Sequence, residues 1–230
     1  AINRTPRRMI EDAVREVLPS GKGVEVTISA PKGEEVAEET QNSKLGIVGG
    51  VSILGTTGVV RPLSITAYRR SLLPQLDVAL AQNPEKVFLV PGNIGEKLAK
   101  QIFKVSDDIV VQTGDFMGYM LEKAVEKGAK NIVVFGHPGK LVKLAAGIFN
   151  THHKMGDARM EVIAAYAGAA GADTETIQNI LQSNTTEETL SFLKQTELLK
   201  PVFNRITELV CLRATEKTQN KAKIGVVIVS

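Results

Sequence analysis

Apolar and polar positions alternate with two different periods along this chain, and the change from one to the other divides it. Over residues 6–18, apolar side chains fall at Met9, Ile10, Val14, Val17 and Leu18. That is the spacing of one helix face, and Pro6 suits a first helical turn. Over residues 23–30 the period drops to two: Val24, Val26 and Ile28 alternate with Glu25, Thr27 and Ser29, which predicts a strand. A short helix is expected over residues 34–40. One helix, one strand and a short helix bury too little surface to be stable alone. Residues 1–43 are therefore expected to be a remnant of an N-terminal α+β domain completed by a further segment.

A second grammar runs from residue 64 onward. A helix starting at Ser64 meets Pro74, which should kink or split it. Then an apolar run, a small polar loop and an amphipathic helix recur three times. Lys86-Val87-Phe88-Leu89-Val90 leads into Pro91-Gly92-Asn93-Ile94-Gly95 and a helix through Phe103. Asp108-Ile109-Val110-Val111 leads into Gln112-Thr113-Gly114-Asp115 and a helix through Lys127. Asn131-Ile132-Val133-Val134-Phe135 leads into Gly136-His137-Pro138-Gly139-Lys140 and another helix. Continuous apolar runs alternating with helices predict a mostly parallel sheet with helices on both faces. Residues 157–218 read as almost wholly helical, with Asp173 as an N-cap, Thr185 and Glu188 as a capping box and Pro201 opening the last long helix. Residues 224–229 read as a final strand. The fold class expected is α/β over residues 44–230, with a helical C-terminal portion, plus part of the smaller α+β domain.

Charge and composition narrow the partners. Lys and Arg exceed Asp and Glu by only +3, tryptophan is absent, and aromatic residues make up 4% of the chain. A nucleic-acid surface needs a denser basic face with interleaved aromatics, so no nucleic-acid partner is expected. The arginine pairs Arg7-Arg8 and Arg69-Arg70 read as solvated helix exteriors, with carboxylate recognition as the alternative. No secretory core opens the chain, and the longest uncharged run is too short and too rich in glycine to span a bilayer. A soluble, cytoplasmic protein is expected, in keeping with the single cysteine, Cys211, which reads as a packing residue.

Candidate chemistry concentrates in loops. Gly46, Gly49, Gly50, Gly55 and Gly58 interrupt an apolar segment that ends in Gly55-Thr56-Thr57-Gly58, able to direct N–H groups and two hydroxyls at one place. A tight turn with nothing bound is the alternative for that segment. In an open parallel sheet, loops leaving the strands' C-terminal ends emerge on one edge, where ligands bind at the reversal of strand order. The loops 91–95, 112–115 and 136–140 should converge there, each opening a helix whose N–H groups favour an acceptor. Residues 136–141 are no phosphate loop, lacking its spacing and the hydroxyl after lysine, and no G-x-G-x-x-G follows a strand. His152-His153 suggests a metal only if His137 and Asp157 join it, and adjacent side chains should diverge in extended structure, so no metal is expected. No Ser-His-Asp or Cys-His arrangement marks a catalytic nucleophile. A nucleotide-dependent oxidoreductase and a non-catalytic small-molecule binding module both fit such an architecture, although the missing glycine fingerprint counts against the first.

Several motifs in fixed order carry a resemblance. GIVGGVSILGTTGVVRP (46–62), PGNIG (91–95), TGDF (113–116) and GHPGKLVKLAAGIFNTHHKMGDARME (136–161), with the opening AINRTPRRMI and PKGEEVAEETQN (31–42), resemble the cobalt-precorrin-5B C1-methyltransferases. The resemblance covers essentially the whole chain and implies an S-adenosylmethionine-dependent enzyme of anaerobic cobalamin biosynthesis acting on a corrinoid. Members of that family carry a further N-terminal region ahead of the Ala1-Ile2-Asn3 opening, and the macrocycle cleft is expected where that region completes the first domain. The reaction implied is a single in-line displacement on a sulfonium methyl, which needs orientation and no protein nucleophile. A carboxylate against sulfur would stabilise the ground state more than the transition state. Asp115 is therefore expected to accept from ribose hydroxyls or the amino group. Gly92, Asn93 and Gly95 are expected to serve the methionine carboxylate or the adenine edge, beside Thr113 and Gly114. The second substrate, a broad apolar ring fringed with carboxylates, is expected to meet Thr56, Thr57, Arg61, His137, Lys140, His152 and Arg159.

Overall fold

The structure, a computed structural model, describes residues 1–38, 40, 47–55, 57–58 and 64–229, with Asp107 described by its backbone alone. Gly46, Thr56 and Arg61 lie outside the described residues. The backbone divides into two compact units, Ala1–Tyr68 and Arg69–Ser230. The segment after residue 44 thus sides with the first unit up to Tyr68. Its tie is a parallel bridge between Ile2 and Ile53, with Ile53 N donating to Ala1 O at 2.8 Å and Asn3 N to Ile53 O at 3.0 Å.

In the first unit, α1 (Arg4–Val17) and the short α2 (Gly33–Glu38) form where helical spacing predicts them. The strand expected over residues 23–30 does not form. A strand exists only as half of a hydrogen-bonded pair, and among the described residues this segment has no strand partner, only the turn bond from Gly33 N to Ala30 O at 2.8 Å. Its alternation still organises it. Val24, Val26 and Ile28, which remain 57%, 50% and 44% exposed, line an open groove of about 510 Å³ together with Ile10, Val14 and Leu18 of α1. In the glycine segment, Gly58 has φ +70°, and a Cβ there would come 2.6 Å from the Met9 Cε. The methionine end can move, but the left-handed backbone cannot be relieved. Gly58→Ala should therefore destabilise by about 1 kcal/mol, read as a lower melting temperature. A variant melting with the parent would show that the turn tolerates a side chain.

The second unit is an α/β layer structure. Its parallel strands β1 (Val87–Val90), β2 (Val110–Gln112), β3 (Asn131–Gly136) and β4 (Lys223–Ile228) lie in the order β2-β1-β3-β4. Leu89 pairs with Val111 on one side and with Val134 on the other, and β3 aligns with β4 from Asn131 opposite Lys223 to Gly136 opposite Ile228. The chain splits α3 (Ile65–Ser71) from α4 (Leu73–Ala81) just before Pro74, because proline cannot supply the N–H that would continue the ladder. The helices α5 (Asn93–Phe103), α6 (Met117–Glu126) and α7 (Pro138–Ala145) each follow a strand. The helical portion comprises α8 (Arg159–Ala169), α9 (Thr174–Gln182), α10 (Thr186–Gln195) and α11 (Leu199–Lys217). Asp173 caps α9 and the Thr185–Glu188 capping box opens α10, both as expected.

Alternation along the strands makes two cores. Val87, Leu89, Val111, Ile132 and Val134 pack with the apolar faces of α4, α6, α7, α8 and α11. Phe88, Val90, Val110 and Phe135 point the other way, against Ala99, Leu98 and Phe103 of α5. Both sheet faces carry helices, but unequally. Cys211 is half-buried in α11 with its Sγ donating to Ile224 O at 3.1 Å, a packing role. Arg8 faces Asp12 one turn along α1 at 4.0 Å, and Arg69 lies 4.5 Å over the Tyr119 ring. Among the described residues, no helix is long and apolar enough to cross a membrane.

Candidate functional site

Strand order reverses about β1, which has β2 on one side and β3 on the other. This is the position at which open parallel sheets bind ligands. The three loops expected to converge do so. Thr113 N and Oγ1 both donate to Val90 O, at 2.8 and 3.3 Å, and clamp the end of β2 to the end of β1. A Cβ on Gly95 would sit 3.6 Å from Phe135 O, and one on Gly136 would come 2.9 Å from the Pro91 ring. At Gly136 a side chain would collide with the Pro91 ring, whereas Gly95 packs the first turn of α5 on the ends of β1 and β3 at ordinary contact distance. Gly114 has φ +52° and turns the second loop so that Asp115 follows it.

Around this edge the polar side chains are paired into two groups. On the side of α7, Lys140 Nζ and Thr151 Oγ1 both donate to Asp115 Oδ1, at 2.7 and 3.0 Å, and Thr151 N donates to Asp115 O at 2.9 Å. Partial burial works against ionisation of Asp115, but those two hydrogen bonds, with the charges of Lys140 and His152, outweigh it. The carboxyl is held below the usual carboxylate range. On the side of α5, Gln112 Nε2 donates to Asn93 Oδ1 at 2.6 Å and also to Glu96 Oε2. Lys100 Nζ holds the other Glu96 oxygen at 2.6 Å.

Of the other basic residues named from the sequence, His137, Arg159 and His152 each have a carboxylate partner or a capping role. His137 caps α7, accepting from Gly139 N on Nδ1 at 3.2 Å, while its Nε2 lies 3.1 Å from Glu187 Oε1. Arg159 forks onto both oxygens of Asp157, with Nε at 2.8 Å from Oδ1 and 3.0 Å from Oδ2. The Arg159 hydrogen bond holds the Asp157 pKa down at about 2, against a smaller effect of burial. A Cβ on Gly139 would meet His137 Nδ1 at 3.3 Å and Arg159 at 3.9 Å, which places Gly139, His137 and Arg159 side by side. His152 Nδ1 accepts from Lys154 N at 3.2 Å. Its ring stacks on His153 with centroids 4.3 Å apart. This corrects the expectation that the two rings diverge: His152 caps a helical turn over His153–Met155, so the backbone between them is not strand-like. Among the described residues, no three His, Cys, Asp or Glu side chains gather as a metal site would require. Thr57 is exposed in the first unit.

Lys143 and Glu96 on this edge went unmarked in the sequence, and Gln112 was marked only as the first residue of the loop 112–115. Lys143 is 3% exposed and donates to Thr151 O at 3.4 Å and Gly156 O at 3.0 Å, so it pins the loop that delivers Thr151 to Asp115. Glu96 is 5% exposed, and Gln112 closes β2. Their only sequence signal was position: an acid in the first turn of α5 and an amide at a strand end.

Comparisons with known proteins found relatives over most of the chain. A CbiD family model matches residues 1–62 and a model of the CbiD C-terminal domain matches residues 150–230. A cobalt-precorrin-5B C(1)-methyltransferase of Methanocaldococcus jannaschii is 52% identical over 217 residues, covering 94% of this chain and 60% of that protein. A protein of the same name from Methanobrevibacter smithii is 45% identical over 217 residues, with the same coverage of 94% and 60%. The chain thus spans about 60% of the length of these curated relatives. The crystal structure of a cobalamin biosynthesis protein (cbiD) from Archaeoglobus fulgidus matches with 29% identity and a TM-score of 0.25, over 70% of this chain and 52% of that one.

Proposed function

Because this chain belongs to the CbiD family, we propose that it serves the S-adenosylmethionine-dependent methylation of cobalt-precorrin-5B at C1, in anaerobic cobalamin biosynthesis in the cytoplasm. The observation that supports this reading most is the strand-end edge of the second unit. There an ionised Asp115, itself ordered by Lys140 and Thr151, shares the edge with Gly92, whose missing side chain leaves open space for a ligand.

The residues suit such a ligand in chemistry. Among the described residues, the hydrogen bonds to the Asp115 carboxylate end on Oδ1, so Oδ2 can accept from ribose hydroxyls or the amino group. S-adenosylmethionine would supply an electrophilic methyl group, and the attacking carbon would come from the corrinoid. The protein's task is then orientation, by Asp115, Gly114, Gly92 and Gly95 on the cofactor side, with Thr113 as the clamp behind them. Asn93 faces either the methionine carboxylate or the adenine edge. Lys140 belongs to Asp115 in this arrangement. Arg159, His137 and His152 remain for the carboxylates of the macrocycle, the first two by exchanging their present partners Asp157 and Glu187.

The test is transfer of a labelled methyl from S-adenosylmethionine to cobalt-precorrin-5B by the full-length protein. Labelled corrinoid is expected. Cofactor binding without any transfer would favour a binding module, and tight NAD(P) binding in its place would favour an oxidoreductase.

A further inference from the structure

The amide pair at the start of α5 and the end of β2, Asn93 and Gln112, has one feature that its own hydrogen bonds dictate. An amide nitrogen carries two N–H groups and an amide oxygen carries none. Both donors of Gln112 Nε2 are spent, one on Asn93 Oδ1 at 2.6 Å and one on Glu96 Oε2. The Glu96 carboxylate can only accept, and its buried position and bond to Lys100 keep it in place. Gln112 must therefore turn its nitrogen inward, and Asn93 must turn its oxygen toward Gln112. The network thus assigns the orientation of both amides. Among the described residues, Gln112 Oε1 and Asn93 Nδ2 are left without partners. One acceptor and one donor, both neutral, remain at the strand-end edge, on a half-buried and an exposed side chain.

That pair discriminates among the parts of a nucleoside-bearing sulfonium amino acid. A carboxylate would find the Asn93 donor but face the Gln112 carbonyl, and the first turn of α5 already contains the acid Glu96. An ammonium would find the carbonyl but meet the Asn93 N–H groups. A group presenting an acceptor beside a donor satisfies both, and the amino-imine edge of adenine is such a group. We propose that Asn93 and Gln112 read the adenine edge of the cofactor and that Glu96, without touching it, is the positioning residue that holds Gln112 in the reading orientation. This inference rests on the cofactor reading proposed above.

Calorimetry on the full-length protein with S-adenosylhomocysteine and its deaminated counterpart, S-inosylhomocysteine, tests it without turnover. The inosyl ligand carries N1–H and a 6-oxo group, the reverse pattern of donor and acceptor. The parent should prefer the adenosyl ligand by about tenfold or more. Asn93→Asp and Gln112→Met should bring the two affinities to within about threefold, by weakening the adenosyl ligand. Glu96→Gln, whose new amide can donate or accept, should release Gln112 and reduce the preference while melting near the parent. A parent that binds both ligands equally well overturns the inference and leaves the cofactor reading standing. So does a preference that survives all three substitutions. A parent that binds neither ligand overturns both.

Discussion

Asp115→Ala should weaken S-adenosylhomocysteine binding by about tenfold to a hundredfold, the 1.5–3 kcal/mol of a hydrogen bond to a charged group. The expectation follows from how much of the edge is invested in that carboxylate. Lys140 and Thr151 hold Oδ1, Thr151 N holds the backbone carbonyl, and Lys143 holds the loop on which Thr151 sits. With the Asp115 pKa below the usual range, the carboxylate is charged at neutral pH and stays so in mild acid. Affinity should therefore hold as the pH falls to about 5. Removing the carboxylate also strands Lys140, so a melting curve must accompany the titration. A variant that melts normally and binds as tightly as the parent would detach this loop from the cofactor.

Phe135→Ala should cost about 3–5 kcal/mol of stability, the range for truncating a fully buried phenylalanine. Phe135 is completely buried on the thinner face of the sheet, among Phe88, Val90, Ala99 and Val110. The Phe103 ring meets it edge-on at 5.7 Å. On that face α5 is the helix that would have to move to fill the space, and its first turn is already seated on the strand ends through Gly95. Little collapse is available, so most of the cavity should persist. Urea unfolding reads the loss directly. Val133→Ala, on the same strand face but half-buried, should cost clearly less. A Phe135 variant within about 1 kcal/mol of the parent would show that the second core contributes little.

Strand, loop and helix succeed one another in this chain in an order that needs no tertiary information. Val87–Val90 and Asn131–Gly136 announce themselves as apolar runs, and helical spacing, proline and capping residues mark where each helix begins. Once those runs are read as parallel strands, geometry alone sends the loops after Val90, Gln112 and Gly136 to one edge. Local chemistry is enough for this because period, capping and breaking act over only a few residues. Pairing is different. Residues 23–30 have the alternation of a strand, yet a strand needs a neighbour's N–H and C=O groups, and no local pattern records whether one is at hand. Which cation faces which carboxylate is equally invisible: Lys140 reads as a rim residue until folding brings it 2.7 Å from Asp115. The buried Lys143 and the amide orientation imposed by Glu96 on Gln112 lie further still from the sequence. Each depends on three or four groups, distant in the chain, that meet where water is excluded and unpaired polar atoms are costly. Sequence determined that there is an edge and which loops form it; tertiary structure decided which atoms on that edge are spent and which remain to meet a ligand.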